Sequence, residues 1–89
     1  METLVPHYLR FTAEDRPGVL SKVSGILADY GISISAVTQK ERKEGGYVPI
    51  VILTHEANEK ALKKAKSTID KQSFIKGESV HIRVEEGNL

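Results

Sequence analysis

Six consecutive residues, Asp15-Arg16-Pro17-Gly18-Val19-Leu20, bring together groups that could hold a small carboxylate-bearing ligand. They stand where an alternating apolar stretch, residues 7–13, gives way to a helical pattern. The start of a helix leaves several backbone N–H groups without intrahelical partners. Those groups and the helix dipole favour a bound anion. Gly18 lacks the Cβ that would hold a ligand away from the main chain. The same residues also suit a helix start and nothing more, with Asp15 or a neighbour as cap and Pro17 opening the first turn. The local sequence leaves both readings open.

Other residue types that support catalysis are sparse. The three histidines, His7, His55 and His81, lie at no metal-pair spacing and are expected to be structural or exposed. Glu14 and Asp15 are adjacent carboxylates, but an acid–base pair needs a geometry that adjacency does not supply. Asp15 is expected to cap the helix or to hold a ligand ammonium. Ser33 and Ser35 fall on a strand with no base beside them, so they read as hydrogen-bonding groups rather than nucleophiles. No Walker loop, G-x-S-x-G or G-x-G-x-x-G occurs. The expectation is a chain with no catalytic set, no metal and no cofactor of its own.

The elements that must position these residues belong to one small domain. The chain has 89 residues and a formal net charge of +1. A domain of this size buries roughly 60–65% of its unfolded surface, so oligomerisation or attachment to a larger protein would help it. The charge gives no strong field to gather nucleic acid or an anionic membrane. Cysteine is absent, which excludes disulfides and thiolate metal sites and fits a cytoplasmic protein. No apolar run reaches the length of a membrane span, and the N-terminus lacks signal-peptide features. Residues 1–6 read as a lead-in or linker remnant ending at Pro6, residues 7–84 as the domain and residues 85–89 as a tail.

Within the domain, residues 7–13 alternate as a half-buried strand. Val19, Leu20, Val23, Ile26, Leu27 and Tyr30 form one helical stripe, interrupted by Gly25 and stopped by Gly31. Gly25 is expected to let the helix sit close to the sheet. In residues 32–40, Ile32, Ile34, Ala36 and Thr38 share one side, and Ser33, Ser35, Val37 and Gln39 the other. Gly45-Gly46 makes a turn into a strand at 47–54, giving a hairpin in which Pro49 is awkward. Asn58 caps a second helix running to about Lys71, whose five lysines face mostly water. Phe74 and Ile75 tuck under a loop, and Val80, Ile82 and Val84 mark a last strand. The order strand–helix–strand–strand–helix–strand gives an α+β, ferredoxin-like βαββαβ sandwich: a four-stranded antiparallel sheet with two helices on one face. In the order fourth-first-third-second, strand 32–40 is an edge, free to pair with a second copy.

Two functions that share this topology fit the residues poorly. Single-stranded RNA binders stack bases on sheet aromatics, whereas here Tyr8 and Tyr47 are the aromatics expected on the open face. An acylphosphatase-type enzyme would use an anion loop carrying an arginine such as Arg16, but the Pro17, Val19 and Leu20 context does not suit it.

The run Asp15 to Leu20, with Gly31-Ile32-Ser33-Ile34 after the helix, resembles the ACT domains, small regulatory modules that bind free amino acids. A narrower set resembles the C-terminal ACT domains of bacterial homoserine dehydrogenases: Gln39-Lys40-Glu41, then Gly45-Gly46-Tyr47-Val48-Pro49-Ile50-Val51, then Thr54-His55-Glu56. Those enzymes reduce aspartate semialdehyde to homoserine and are inhibited by threonine. The resemblance implies a free amino-acid effector, threonine first, held between two copies paired along strand 32–40. It implies ligand contacts from Asp15, Gly18, Val19 and Leu20 of one copy and Ile32, Ser33, Ile34, Ser35 and Gln39 of the strand. It also implies the catalytic domains of a parent enzyme as partners, with nicotinamide binding confined to them. The alternative is a dimerisation module that has lost its ligand.

Overall fold

A computed structural model describes residues 4–39 and 46–84. Its elements are β1 (Leu4–Val5), β2 (His7–Glu14), α1 (Val19–Asp29), β3 (Ile34–Gln39), β4 (Tyr47–Thr54), β5 (Ala57–Asn58), α2 (Glu59–Asp70) and β6 (Val80–Arg83). Four strands form an antiparallel sheet in the order β3-β4-β2-β6, the arrangement expected from the sequence.

Period-two patterning decides which face is covered. His7, Leu9, Phe11 and Ala13 of β2 are buried beside Val48, Ile50, Ile52 and Thr54 of β4. Val19, Val23 and Leu27 of α1 and Leu62, Ala65 and Ile69 of α2 close over the same face, so both helices share it. Each large side chain fully buried there contributes about 1.5–3 kcal/mol relative to an exposed one. Among the described residues the opposite face carries no helix, and it is only partly polar. Leu53, Val80 and Ile82 stand there beside Arg10 and Thr12.

The helix ends follow from local chemistry. Asn58 Oδ1 accepts the amides of Lys60 (2.8 Å) and Ala61 (3.2 Å), as a cap should. At the end of α1, the Ile32 amide reaches Leu27 O at 3.0 Å and the Gly31 amide reaches Ala28 O at 2.9 Å. Gly31 has φ of 74°, so the stop is a Schellman turn.

Three expectations change. First, Leu4 and Val5, read as part of a lead-in, pair with Asn58 and Ala57 in a two-stranded ribbon. Second, Gly25 does not mediate a close approach: a Cβ built there meets nothing within 4 Å, and the residue is exposed. Third, the alternation along β3 breaks. Ile34 opposes Thr54 but Ala36 opposes Leu53, so Ser35 is the extra residue of a β-bulge. Beyond it Val37 and Gln39 oppose the buried Ile52 and Ile50, on the helix side of the sheet, while Ala36 and Thr38 turn to the open side.

Pro49 on an inner strand also receives a physical account. It opposes Thr12, whose carbonyl accepts the Lys76 amide at 2.8 Å, away from β4. Thr12 and Pro49 are therefore a non-hydrogen-bonded pair, and the N–H that Pro49 lacks would point toward β3. The described β3–β4 ladder stops at Gln39–Ile50, one step earlier. Lys40, the charged stretch 41–44, Gly45 and the tail 85–89 lie outside the described residues.

Candidate functional site

The turn after β2 is wound by its own main chain. The Asp15 amide donates to Gly46 O at 2.8 Å, which ties the turn to the start of β4. The Arg16 amide donates to Glu14 O (3.1 Å) and the Val19 amide to Arg16 O (3.4 Å). Gly18 is the N-cap residue of α1 with φ of 88°, and as a glycine it supplies no side-chain cap. Asp15 is thus not the cap; its carboxyl has another direction. Asp15 is buried, 6% exposed, and its Oδ1 accepts Gln39 Nε2 at 3.4 Å.

A hollow of about 350 Å³ opens at this point. Its rim is the chain from Glu14 to Leu20, and its far wall is Gln39 and Ile50. The floor is set by Val19, which points into the core, with Leu20 packed against the edge of that core. Arg16 is held sideways by an exposed ion pair with Glu14. The first turn of α1 carries no acidic side chain, so no carboxylate of its own offsets the positive end of its dipole. One side of the hollow therefore offers main-chain N–H groups and a positive helix end, and another offers a buried carboxylate. That combination suits a zwitterion whose carboxylate and ammonium sit a few ångströms apart.

Of the residues singled out in the sequence, Asp15, Gly18, Val19, Leu20 and Gln39 converge here. Ile32, Ser33, Ile34 and Ser35 do not line this hollow within one chain. Ile32 is 4% exposed in the core, and Ile34 packs against its edge. Ser33 is exposed, with its carbonyl accepting the His55 amide at 2.9 Å, and Ser35 is exposed at the bulge. Ile34 and Ser35 lie at the end of β3 opposite Gln39, about 15 Å away at strand rise, and Ile32 and Ser33 precede the strand. Ile50 is the wall residue that the sequence reading left out. The hairpin register, which sets it opposite Gln39, was the available signal.

The histidines and lysines lie elsewhere. His7 and His81 meet at 2.9 Å between β2 and β6. A larger hollow of about 650 Å³ lies between α2 and residues 77–81. Lys66, its least exposed lysine, is already paired with Asp70 (3.1 Å) and Glu78 (3.5 Å). Among the described residues no group of three or more His, Cys, Asp or Glu could hold a metal, and no helix is long and apolar enough to cross a membrane.

A four-stranded antiparallel sheet with two helices on one face, and a hollow where the first helix begins, defines a small ferredoxin-like α+β domain. The model of the ACT domain family matches residues 7–73, and the chain belongs to that family. It is similar to homoserine dehydrogenase of Pseudomonas aeruginosa, 40% identical over 83 residues, covering 92% of this chain and 19% of the relative. Homoserine dehydrogenase of Methylobacillus glycogenes is 44% identical over 81 residues, 90% of this chain and 20% of the relative. The chain thus spans about a fifth of the length of these relatives. The crystal structure of a homoserine dehydrogenase from Thiobacillus denitrificans superposes with a TM-score of 0.82 at 40% identity, covering 92% of this chain and 18% of that one. The ACT domain from GTP pyrophosphokinase of Chlorobium tepidum shares the fold alone, with a TM-score of 0.71 at 15% identity over 90% of this chain and all of that one.

Proposed function

We propose that this chain binds a free amino acid, threonine first, at an interface between two copies. In this reading it exerts feedback control on homoserine dehydrogenase activity in the synthesis of aspartate-family amino acids. The observation that carries the reading is the place of Gln39: it is a wall of the hollow and also the end of the edge strand β3. Antiparallel pairing of two β3 edges would make one eight-stranded sheet. It would also reverse the partner strand, bringing the partner's Ile34 and Ser35 end beside this chain's Gln39 and Gly18. The ligand carboxylate then meets the amides near Gly18, Val19 and Leu20, and its ammonium meets Asp15. Ser33, Ser35 or Gln39 takes the side-chain hydroxyl. The catalytic domains of a parent enzyme, which would carry the nicotinamide chemistry, are the partners biased by this event. An allosteric coupling of about 1–3 kcal/mol is sufficient.

The test is calorimetry of the chain with threonine and the other amino acids, with solution mass measured alongside. Heat with threonine and a dimeric mass support the reading. A dimer that gives no heat with any amino acid at millimolar concentration reduces it to a dimerisation module. A monomer removes the shared site.

A further inference from the structure

His7 and His81 form a linked pair whose proton positions the geometry fixes. His7 is fully buried at the start of β2, and its Nε2 lies 3.1 Å from the carbonyl oxygen of Ala57 in β5. A carbonyl only accepts, so Nε2 carries the hydrogen and Nδ1 is the lone pair. His81 Nε2, 2.9 Å from that lone pair, must then be the donor. The His7 amide donates to Thr54 Oγ1 at 3.0 Å, and Thr54 Oγ1 donates to His55 O at 2.7 Å. Close by, the Val84 amide donates to Pro6 O at 2.9 Å. One imidazole pair thus fastens three pieces: the edge strand β6, the first core strand β2, and the β1–β5 ribbon.

We infer that the His7–His81 pair is an acid-operated latch, closed while His7 Nδ1 keeps its lone pair, that holds the β1–β5 ribbon and the β6 edge to the domain. A first proton on His81 Nδ1 leaves its Nε2–H bond intact. A second proton, on His7 Nδ1, sets two N–H groups against each other at a separation made for one hydrogen, and the rings must part. The charges around the pair weigh on both sides. From α2, Glu59 favours a cation on His81, while Lys63 and Lys66 oppose it; from β6, Arg83 is paired with Glu59 at 2.9 Å. Burial, and then the His7 ring beside it, hold His81 below the ordinary histidine range. With the folded value lowered, the closed state is favoured above the unfolded histidine value of about 6.5 and loses that advantage as pH falls below it.

The test is amide hydrogen exchange by NMR from pH 7.5 to 5, corrected for intrinsic rates, with the ring titrations followed in parallel. The amides of His7 and Val84 report the latch, and those of Lys22 and Ile32, bonded within and just after α1, report the core. The latch amides should open with a slope approaching ~100-fold per pH unit, two protons, while the core amides stay protected. In His81→Gln, whose side-chain amide can still donate to His7 Nδ1, the slope should fall to ~10-fold per unit, one proton. Latch amides that do not respond to pH, a slope unchanged in His81→Gln, or core amides opening in the same step would each overturn the latch.

Discussion

Gln39 Nε2 donates to Asp15 Oδ1 at 3.4 Å, joining the end of the edge strand to the turn that precedes α1. The contact exists because the extra residue at Ser35 shifts the phase of β3. Without the bulge, Gln39 would stand on the open side of the sheet and Asp15 would face another neighbour. If a ligand ammonium uses Asp15, then Gln39 helps to hold this carboxyl in place before binding. Gln39→Leu should weaken threonine binding about 10–100-fold, the size of one hydrogen bond to a charged group. Because the same bond serves a buried carboxyl, the variant should also lose about 1 kcal/mol of folding stability in urea. Calorimetry beside a denaturation curve checks both halves, and unchanged affinity would remove Gln39 from the site.

Gly18 and Gly25 make opposite predictions from one comparison. A Cβ at either position meets nothing within 4 Å, so space does not distinguish them. Gly18 has φ of 88°, where an L side chain is strained, whereas Gly25 sits inside an ordinary helix. Gly18→Ala should cost about 1–2 kcal/mol, and Gly18→Asn less, since asparagine tolerates the left-handed region. Gly25→Ala should raise stability by about 0.5–1 kcal/mol. Chemical denaturation of the three variants decides. A loss on Gly25→Ala would show that something packs on that face of α1 in solution.

Most of the architecture was legible in the sequence because period-two and period-3.6 patterns are strong along β2, β4, α1 and α2. Gly31 as stop and Asn58 as cap could be read for the same reason: their chemistry is local. The bulge at Ser35 was not legible, since Ser-Ile-Ser-Ala-Val-Thr alternates equally well in either phase and only pairing with β4 settles it. The ribbon at Leu4 and Val5 was missed because two residues carry no period. The His7–His81 contact joins positions 74 apart, a separation at which spacing rules for ligands say nothing. For the candidate site, the Asp15–Leu20 run announced itself. Its wall, Gln39 with Ile50, depended on the register of a hairpin.

Ser79 offers a simple test of the packing between α2 and β6. Among the described residues, its Oγ is the buried side-chain oxygen or nitrogen without a hydrogen bond. A hydroxyl removed from water and left unpaired is a net cost. Ser79→Ala deletes the hydroxyl and keeps the backbone, including the Ser79 amide bond to Asp70 Oδ1 at 3.2 Å. Stability should rise by about 1 kcal/mol in urea denaturation; a fall of that size would reveal a partner for Oγ in solution.

Asp70 has two tasks, and separating them predicts a non-additive result. Its Oδ1 accepts the Ser79 amide, and its Oδ2 lies 3.1 Å from Lys66 Nζ. The two side chains are only 16% and 18% exposed, so this i,i+4 pair is shielded from water more than a surface pair. Asp70→Ala leaves a half-buried ammonium with Glu78, itself 85% exposed, as its remaining carboxylate. It also strips the Ser79 amide of its acceptor. The expected loss is about 2–3 kcal/mol. Lys66→Met alone should cost less, because the carboxylate it leaves still accepts the Ser79 amide. In the double variant no buried ammonium remains, and what is lost is mainly the bond to Ser79. The double variant should therefore be about 1 kcal/mol more stable than the sum of the two singles implies. A double-mutant cycle in urea measures this directly, and strict additivity would show that Lys66 and Asp70 do not depend on each other in the folded chain.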